Sequence, residues 1–219
     1  MKGPEHPASV VHPAHAKAHP GLIPRTPEVI LGPFYPADRV APRTRDLTTG
    51  DNRATGAAGI QILVCVDVID EEGNPLEGVY AEFWQANASG RYRHELDEGP
   101  AHLDSSFDGF GSQLTDALGR FSFKTVKPGT YRTPVGETRA PHVHFQLTDG
   151  ARRLVTQMFF PGESLNEQDR CLRSCRDPAS LIARAAYGAN GQPPAFSWQV
   201  VLFRRPPLPL FSTLTESHE

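Results

Sequence analysis

Two histidines separated by one residue, His142 and His144, stand in the stretch RAPHVHFQLT. On an extended chain successive side chains point to opposite faces, so both imidazoles fall on one face and Val143, Phe145 and Leu147 on the other. Two residues of rise set the rings about 7 Å apart at their origins, near enough to converge on one ion. By itself the pair fits either a metal site or two hydrogen-bonded imidazoles, and no Asp, Glu or Cys stands in an obviously shared context to complete a ligand set. The tyrosines offer a different donor. Of Tyr35, Tyr80, Tyr92, Tyr131 and Tyr187, two lie in loops bounded by turn residues, Tyr92 in SGRYRHE and Tyr131 in KPGTYRTP. A loop tyrosine commonly packs or hydrogen-bonds. Deprotonated, it is a hard anionic oxygen ligand suited to a trivalent ion, and such an ion lowers the phenol pKa from about 10 toward neutrality.

The elements that must hold these groups are strands. In IQILVCVDVID, Ile60, Ile62, Val64, Val66 and Val68 recur with the two-residue period of one strand face. The turn residues Gly73, Asn74 and Pro75 follow, and VYAEFWQA resumes an extended pattern, so these two strands are expected to pair. RFSFKTV, HVHFQLT, RLVTQMFF and FSWQVVLF are further strands bounded by Gly, Pro, Asp or Asn. Together they predict an all-β fold, an antiparallel β-sandwich with long loops. One short helix is expected near PASLIARAAYG, led by a proline and stopped at Gly188.

The length of 219 residues suits one large β domain, and the 19 glycines and 21 prolines argue for many turns rather than a helical bundle. The pattern divides the chain into a flexible arm over 1–20, an irregular wrapping segment over 21–59 and the sandwich over 60–219. The arm carries His6, His12, His15 and His19 among prolines and alanines, too little apolar surface to offset ordering entropy. A formal charge of -3 gives no footprint for nucleic acid. No apolar run reaches bilayer length and no export-type segment opens the chain, which predicts a cytoplasmic protein without a membrane partner. Cys65, Cys171 and Cys175 are too sparse for a disulfide framework and are expected as reduced thiols.

Four blocks in order, WQANASGRYRH, LTDALGRFSFKTVKPGTY, RAPHVHF and LVTQMFFPG, resemble the intradiol ring-cleavage dioxygenases, and among them the protocatechuate 3,4-dioxygenase branch in its iron-binding chain. The similarity runs from about Ile60 to Phe160, with a weaker match back to GPFYP. It implies a prealbumin-like sandwich and a mononuclear non-haem Fe(III) held by Tyr92, Tyr131, His142 and His144. The implied reaction splits a catecholic ring between its two hydroxyl-bearing carbons with O2, giving a muconate-type diacid. Tyr131 then serves as both ligand and base, Arg139 stabilises charge on the activated ring, and Gln157 lies beside that arginine. Trp84 reads as core, whereas Gly32, Pro33 and Tyr35 fit either the mouth of the site or a wrapped loop.

Departures bear on the substrate. Arg132 and Thr133 follow the second ligand tyrosine where that branch usually carries Pro and Trp, the loop to Arg139 is short, and Ala140 and Pro141 stand in swapped order. Protocatechuate-type substrates are favoured, with catechol, hydroxyquinol or a substituted catechol as the alternatives. A non-catalytic binding module of the same fold is the alternative of another class. The resemblance also implies an oligomer, either of this chain alone or with a homologous iron-free subunit.

Overall fold

A computed structural model describes residues 21–38, 40–50, 56–133, 135–150, 152–186 and 193–203. The histidine-rich arm, Tyr187 and Gly188 lie outside the described residues. Ten strands follow in chain order: β1 Gln61–Ile69, β2 Tyr80–Trp84, β3 Phe110–Leu114, β4 Arg120–Val126, β5 Tyr131–Arg132, β6 Thr138–Arg139, β7 His142–Asp149, β8 Arg152–Phe159, β9 Arg184–Ala186 and β10 Ala195–Val201. They build two four-stranded sheets, ordered β4-β1-β10-β9 and β3-β2-β7-β8, with β5 and β6 as a separate small ribbon. All pairs are antiparallel except β1 with β10, which run parallel.

The two sheets face each other across a core that the strand period dictates. Ile62, Val64, Val66 and Val68 are buried along β1, as Val143, Phe145 and Leu147 are along β7. Phe83 from one sheet stacks on Phe123 from the other, with ring centres 4.0 Å apart and planes 8° from parallel. Each such fully buried side chain contributes roughly 1.5–3 kcal/mol. Ile60, read as part of the same stripe, is 63% exposed and precedes the strand.

Two other expectations are corrected. β1 and β2 do not pair; they sit in opposite sheets. The turn between them forms locally, with Asp70 Oδ1 accepting from the amides of Glu72 and Asn74. The chain then crosses the sandwich, where the Val79 amide is taken by Thr115 Oγ1 beside β3. The segment expected as a helix is a single 3-10 turn, Pro178–Leu181, followed by β9. Its alanines serve as an edge partner for β10, and the Ala183 amide donates to the Phe159 carbonyl, so strand pairing overrides helix propensity. Among the described residues the one α-helical turn is α1, Arg170–Arg173, capped by the Asp169 carboxylate, which accepts from the Leu172 amide.

The far face of β2, β7 and β8 is the functional one. In register across these strands lie Trp84, His144 and Gln157, with His142 opposite Phe159 at the strand end. The irregular segment before β1 lies over this face: the Val29 amide donates to the Val155 carbonyl, and Gln157 Nε2 donates to the Ile30 carbonyl.

Candidate metal centre

Two loops bring the tyrosines to that face, and glycines let them interlock. Gly90 has φ +82°, and a Cβ there would lie 2.0 Å from the Thr130 carbonyl oxygen; at Gly129 it would lie 2.5 Å from the Ala88 oxygen. Only glycine permits so close an approach, and at Gly90 the positive φ requires it as well. Buried Asn87 ties the loops together. Its Oδ1 accepts from the amides of Ser89 and Arg91, and its carbonyl accepts from those of Gly90 and Gly129. Tyr92 and Tyr131 therefore emerge side by side, their rings edge to face at 5.3 Å.

Four rings converge. Tyr131 lies 5.8 Å from His142, His142 4.8 Å from His144, and His144 6.1 Å from Tyr92, all between centroids. Tyr92, His142 and His144 are each at most 3% exposed, and Tyr131 is half-buried. The two Nε2 atoms face each other at 3.1 Å. His142 Nδ1 lies 2.6 Å from the Ala140 carbonyl, which fixes a proton on Nδ1 and leaves Nε2 bare to accept from His144 Nε2–H. His144 Nδ1 in turn faces Gln157 Nε2 at 3.4 Å.

Burial, with Arg139 nearby, lowers the His142 pKa to about 3; burial and His142 hold His144 well below the usual range, so both imidazoles are neutral. Burial, then the neighbouring Tyr131, raises the Tyr92 phenol well above 10. Burial raises Tyr131 too, against the opposing pull of Arg139. Tyr92 Oη has no hydrogen-bond partner of normal geometry among the described residues. A buried hydroxyl left without a partner is costly. Its position beside two neutral imidazoles and a second phenol is what an ion with anionic oxygen ligands would use, so the residues fit a hard trivalent metal. Among the described residues no group of three or more His, Cys, Asp and Glu is placed to hold an ion; the donor set here depends on phenols.

Arg139 and Gln157 are brought to the same place. Arg139 is 4% exposed rather than a surface residue. It donates from Nη2 to Gln157 Oε1 at 2.7 Å and from Nε to Asp169 Oδ2 at 2.8 Å, while Nη1 reaches Tyr131 Oη at 3.5 Å. Three neighbours escaped sequence reasoning. Asp169 is fully buried, Phe34 packs on Tyr92 at 4.6 Å, and Trp84, expected as core alone, stacks on the His144 ring at 4.9 Å and 12°. Gly32, at φ +79°, sits where a Cβ would lie 3.2 Å from His144 Cε1; Tyr35 packs edge-on against Trp84 and donates to Glu82, and Pro33 is exposed in a turn. Arg132 points outward and is exposed, and Thr133 Oγ1 accepts from the Glu137 amide within the β5–β6 hairpin.

The family model Dioxygenase_C, described as Dioxygenase, matches residues 30–203. The chain belongs to the intradiol ring-cleavage dioxygenase family, and the sandwich described above is that family's fold. Within it the chain is an enzyme of the protocatechuate 3,4-dioxygenase-like type, being 36% identical over 225 residues to the protocatechuate 3,4-dioxygenase beta chain of Burkholderia cepacia, with 94% of each covered. It is 30% identical over 181 residues to the hydroxyquinol 1,2-dioxygenase of Rhodococcus opacus, covering 76% of this chain and 56% of that one. Among solved structures, the dioxygenase domain of a dioxygenase and carbohydrate-binding fusion from Streptomyces sp. SirexAA-E superposes with a TM-score of 0.63 at 28% identity, covering 82% of this chain and 99% of that one. No helix among the described residues is long and apolar enough to cross a membrane.

Proposed function

We propose that Tyr92, Tyr131, His142 and His144 hold one non-haem Fe(III), and that the enzyme cleaves a catecholic ring between its hydroxyl-bearing carbons with O2 to a muconate-type diacid. The observation that carries this reading is the meeting of two neutral imidazole Nε2 atoms, 3.1 Å apart, with an unpartnered buried phenol and a second phenol beside it. When bound, Fe(III) would draw electron density from a chelating diol and make its ring carbons reactive toward O2.

The chain's own residues supply the rest. Tyr131, the more exposed of the two phenols, is the one placed to take up a proton from the incoming hydroxyl at its Oη. Arg139, held in a dry pocket with one η-nitrogen turned toward Tyr131, stabilises negative charge on the ring. Gln157 keeps that guanidinium in plane by accepting from Nη2. Trp84 stacks on His144 and limits its rotation, and Phe34 over Tyr92 shuts out water.

Protocatechuate-type diols are favoured as substrates on the likeness to the Burkholderia cepacia chain, which bears that name and is matched over 94% of its length. Its designation as a beta chain supports an oligomer, of this chain alone or with a homologous iron-free subunit. Turnover of protocatechuate, catechol and hydroxyquinol by the iron-loaded protein, with products identified by mass, tests both reaction and preference. Muconate-type diacids carrying two oxygen atoms from O2 support the reading. A colourless protein that binds diols without opening the ring would instead mark a non-catalytic binding module.

A further inference from the structure

We infer that Asp169 is the positioning residue of this site, fixing the Arg139 guanidinium and the Ala140 peptide in one grip so that Arg139 presents Nη1 to Tyr131 and the reacting ring. The inference rests on the reading of Arg139 given above.

Two of the three guanidinium nitrogens are already taken. Nε donates to Asp169 Oδ2 at 2.8 Å and Nη2 to Gln157 Oε1 at 2.7 Å, which leaves Nη1 as the one turned to Tyr131. The ion pair is sealed, with side chains 5% and 0% exposed. The same Oδ2 accepts the Ala140 amide at 3.0 Å, and the Ala140 carbonyl on the next peptide accepts from His142 Nδ1 at 2.6 Å. Oδ1 accepts from the Leu172 amide at 3.1 Å and anchors the carboxylate to α1. One carboxylate thus sets the arginine fork and pins it to the backbone just before the first histidine. Losing its charge leaves a buried guanidinium unpaired and free to turn.

The test uses the iron-loaded enzyme with Asp169→Asn, Asp169→Ala, Arg139→Gln and the Asp169→Asn/Arg139→Gln double variant. Asp169→Asn is expected to lower kcat about 10- to 100-fold with KM and iron content unchanged. The double variant is expected to be no slower than Arg139→Gln alone, because the carboxylate acts through the arginine. A second measurement needs no Asp169 variant and decides the matter should those variants not fold. In the metal-free wild type, the Arg139 Nε–H resonance, identified by its loss in Arg139→Gln, is expected to be resolved and slow to exchange. The inference is overturned if Asp169→Asn turns over like wild type, if its loss multiplies with that of Arg139→Gln, or if the Nε–H exchanges as fast as that of a surface arginine. Failure of the ring-cleavage reading is distinguishable, since wild type would then open no ring while the resonance still reports the grip.

Discussion

Gly90 rests directly against the carbonyl of Thr130, so close that a Cβ at Gly90 would lie 2.0 Å from that oxygen. This contact holds two loops that are about forty residues apart in the chain and carry the two tyrosines of the proposed ligand set. Gly90→Ala must therefore both adopt an unfavourable positive φ, at about 1–2 kcal/mol, and push the Thr130 loop away. The expected outcome is a lower unfolding temperature together with reduced iron per chain, read by calorimetry and metal analysis. A variant that melts and loads iron like wild type would contradict the interlock.

Tyr92→Phe separates stability from function. Its hydroxyl is buried without a hydrogen-bond partner of normal geometry among the described residues, so removing it relieves a penalty of about 1–3 kcal/mol in the metal-free protein. Thermal unfolding of the metal-free variant is expected to occur above that of wild type, while its iron content and visible phenolate-to-metal absorption fall. Opposite movements of this kind mark a residue kept for binding at the expense of the fold. A drop in both would assign Tyr92 to packing.

Metal loading should expel protons from the phenols alone. Burial raises both tyrosine pKa values, so both are protonated near neutral pH, and burial lowers those of the histidines, so neither carries an exchangeable charge there. Two protons leave per ion, and affinity then rises about 100-fold per pH unit below the phenol pKa values. A pH indicator in weak buffer counts the release; one proton or none would remove a tyrosine from the ligand set.

The same histidines set the acid limit of the metal-free fold. Their folded-state pKa values lie below the unfolded value of 6.5, that of His142 at about 3. Their contribution is complete above pH 6.5 and is lost as pH falls below it, in the case of His142 down to about 3 and at about 1.4 kcal/mol per pH unit. Denaturant midpoints between pH 7 and pH 4 should fall accordingly in wild type and more gently in His142→Gln.

Much of this site is legible in the chain because it is built on a strand. The alternation of HVHF places both imidazoles on one face and the core on the other, which the pairing of His144 with Trp84 and Gln157 repeats in three dimensions. The turn residues of ASGRY and KPGTY mark tight loops, although not that they touch each other. Strand partnership was less visible. The turn after β1 has ordinary hairpin chemistry, and only the burial of both β1 and β2 within opposite sheets sends the chain across. PASLIARAAYG has helix-like composition, yet an edge of β10 needed covering. Asp169 was hidden for a different reason. Its local sequence shows at most a helix cap, whereas its partner Arg139 lies 30 residues earlier.

In the proposed centre, four donors from three stretches of chain enclose one iron. Anomalous diffraction at the iron edge, on crystals of protein grown with iron, tests it most directly. A single peak per chain is expected, bounded by Tyr92 Oη, Tyr131 Oη, His142 Nε2 and His144 Nε2. A peak elsewhere, or none between those four side chains in iron-replete crystals, would contradict it.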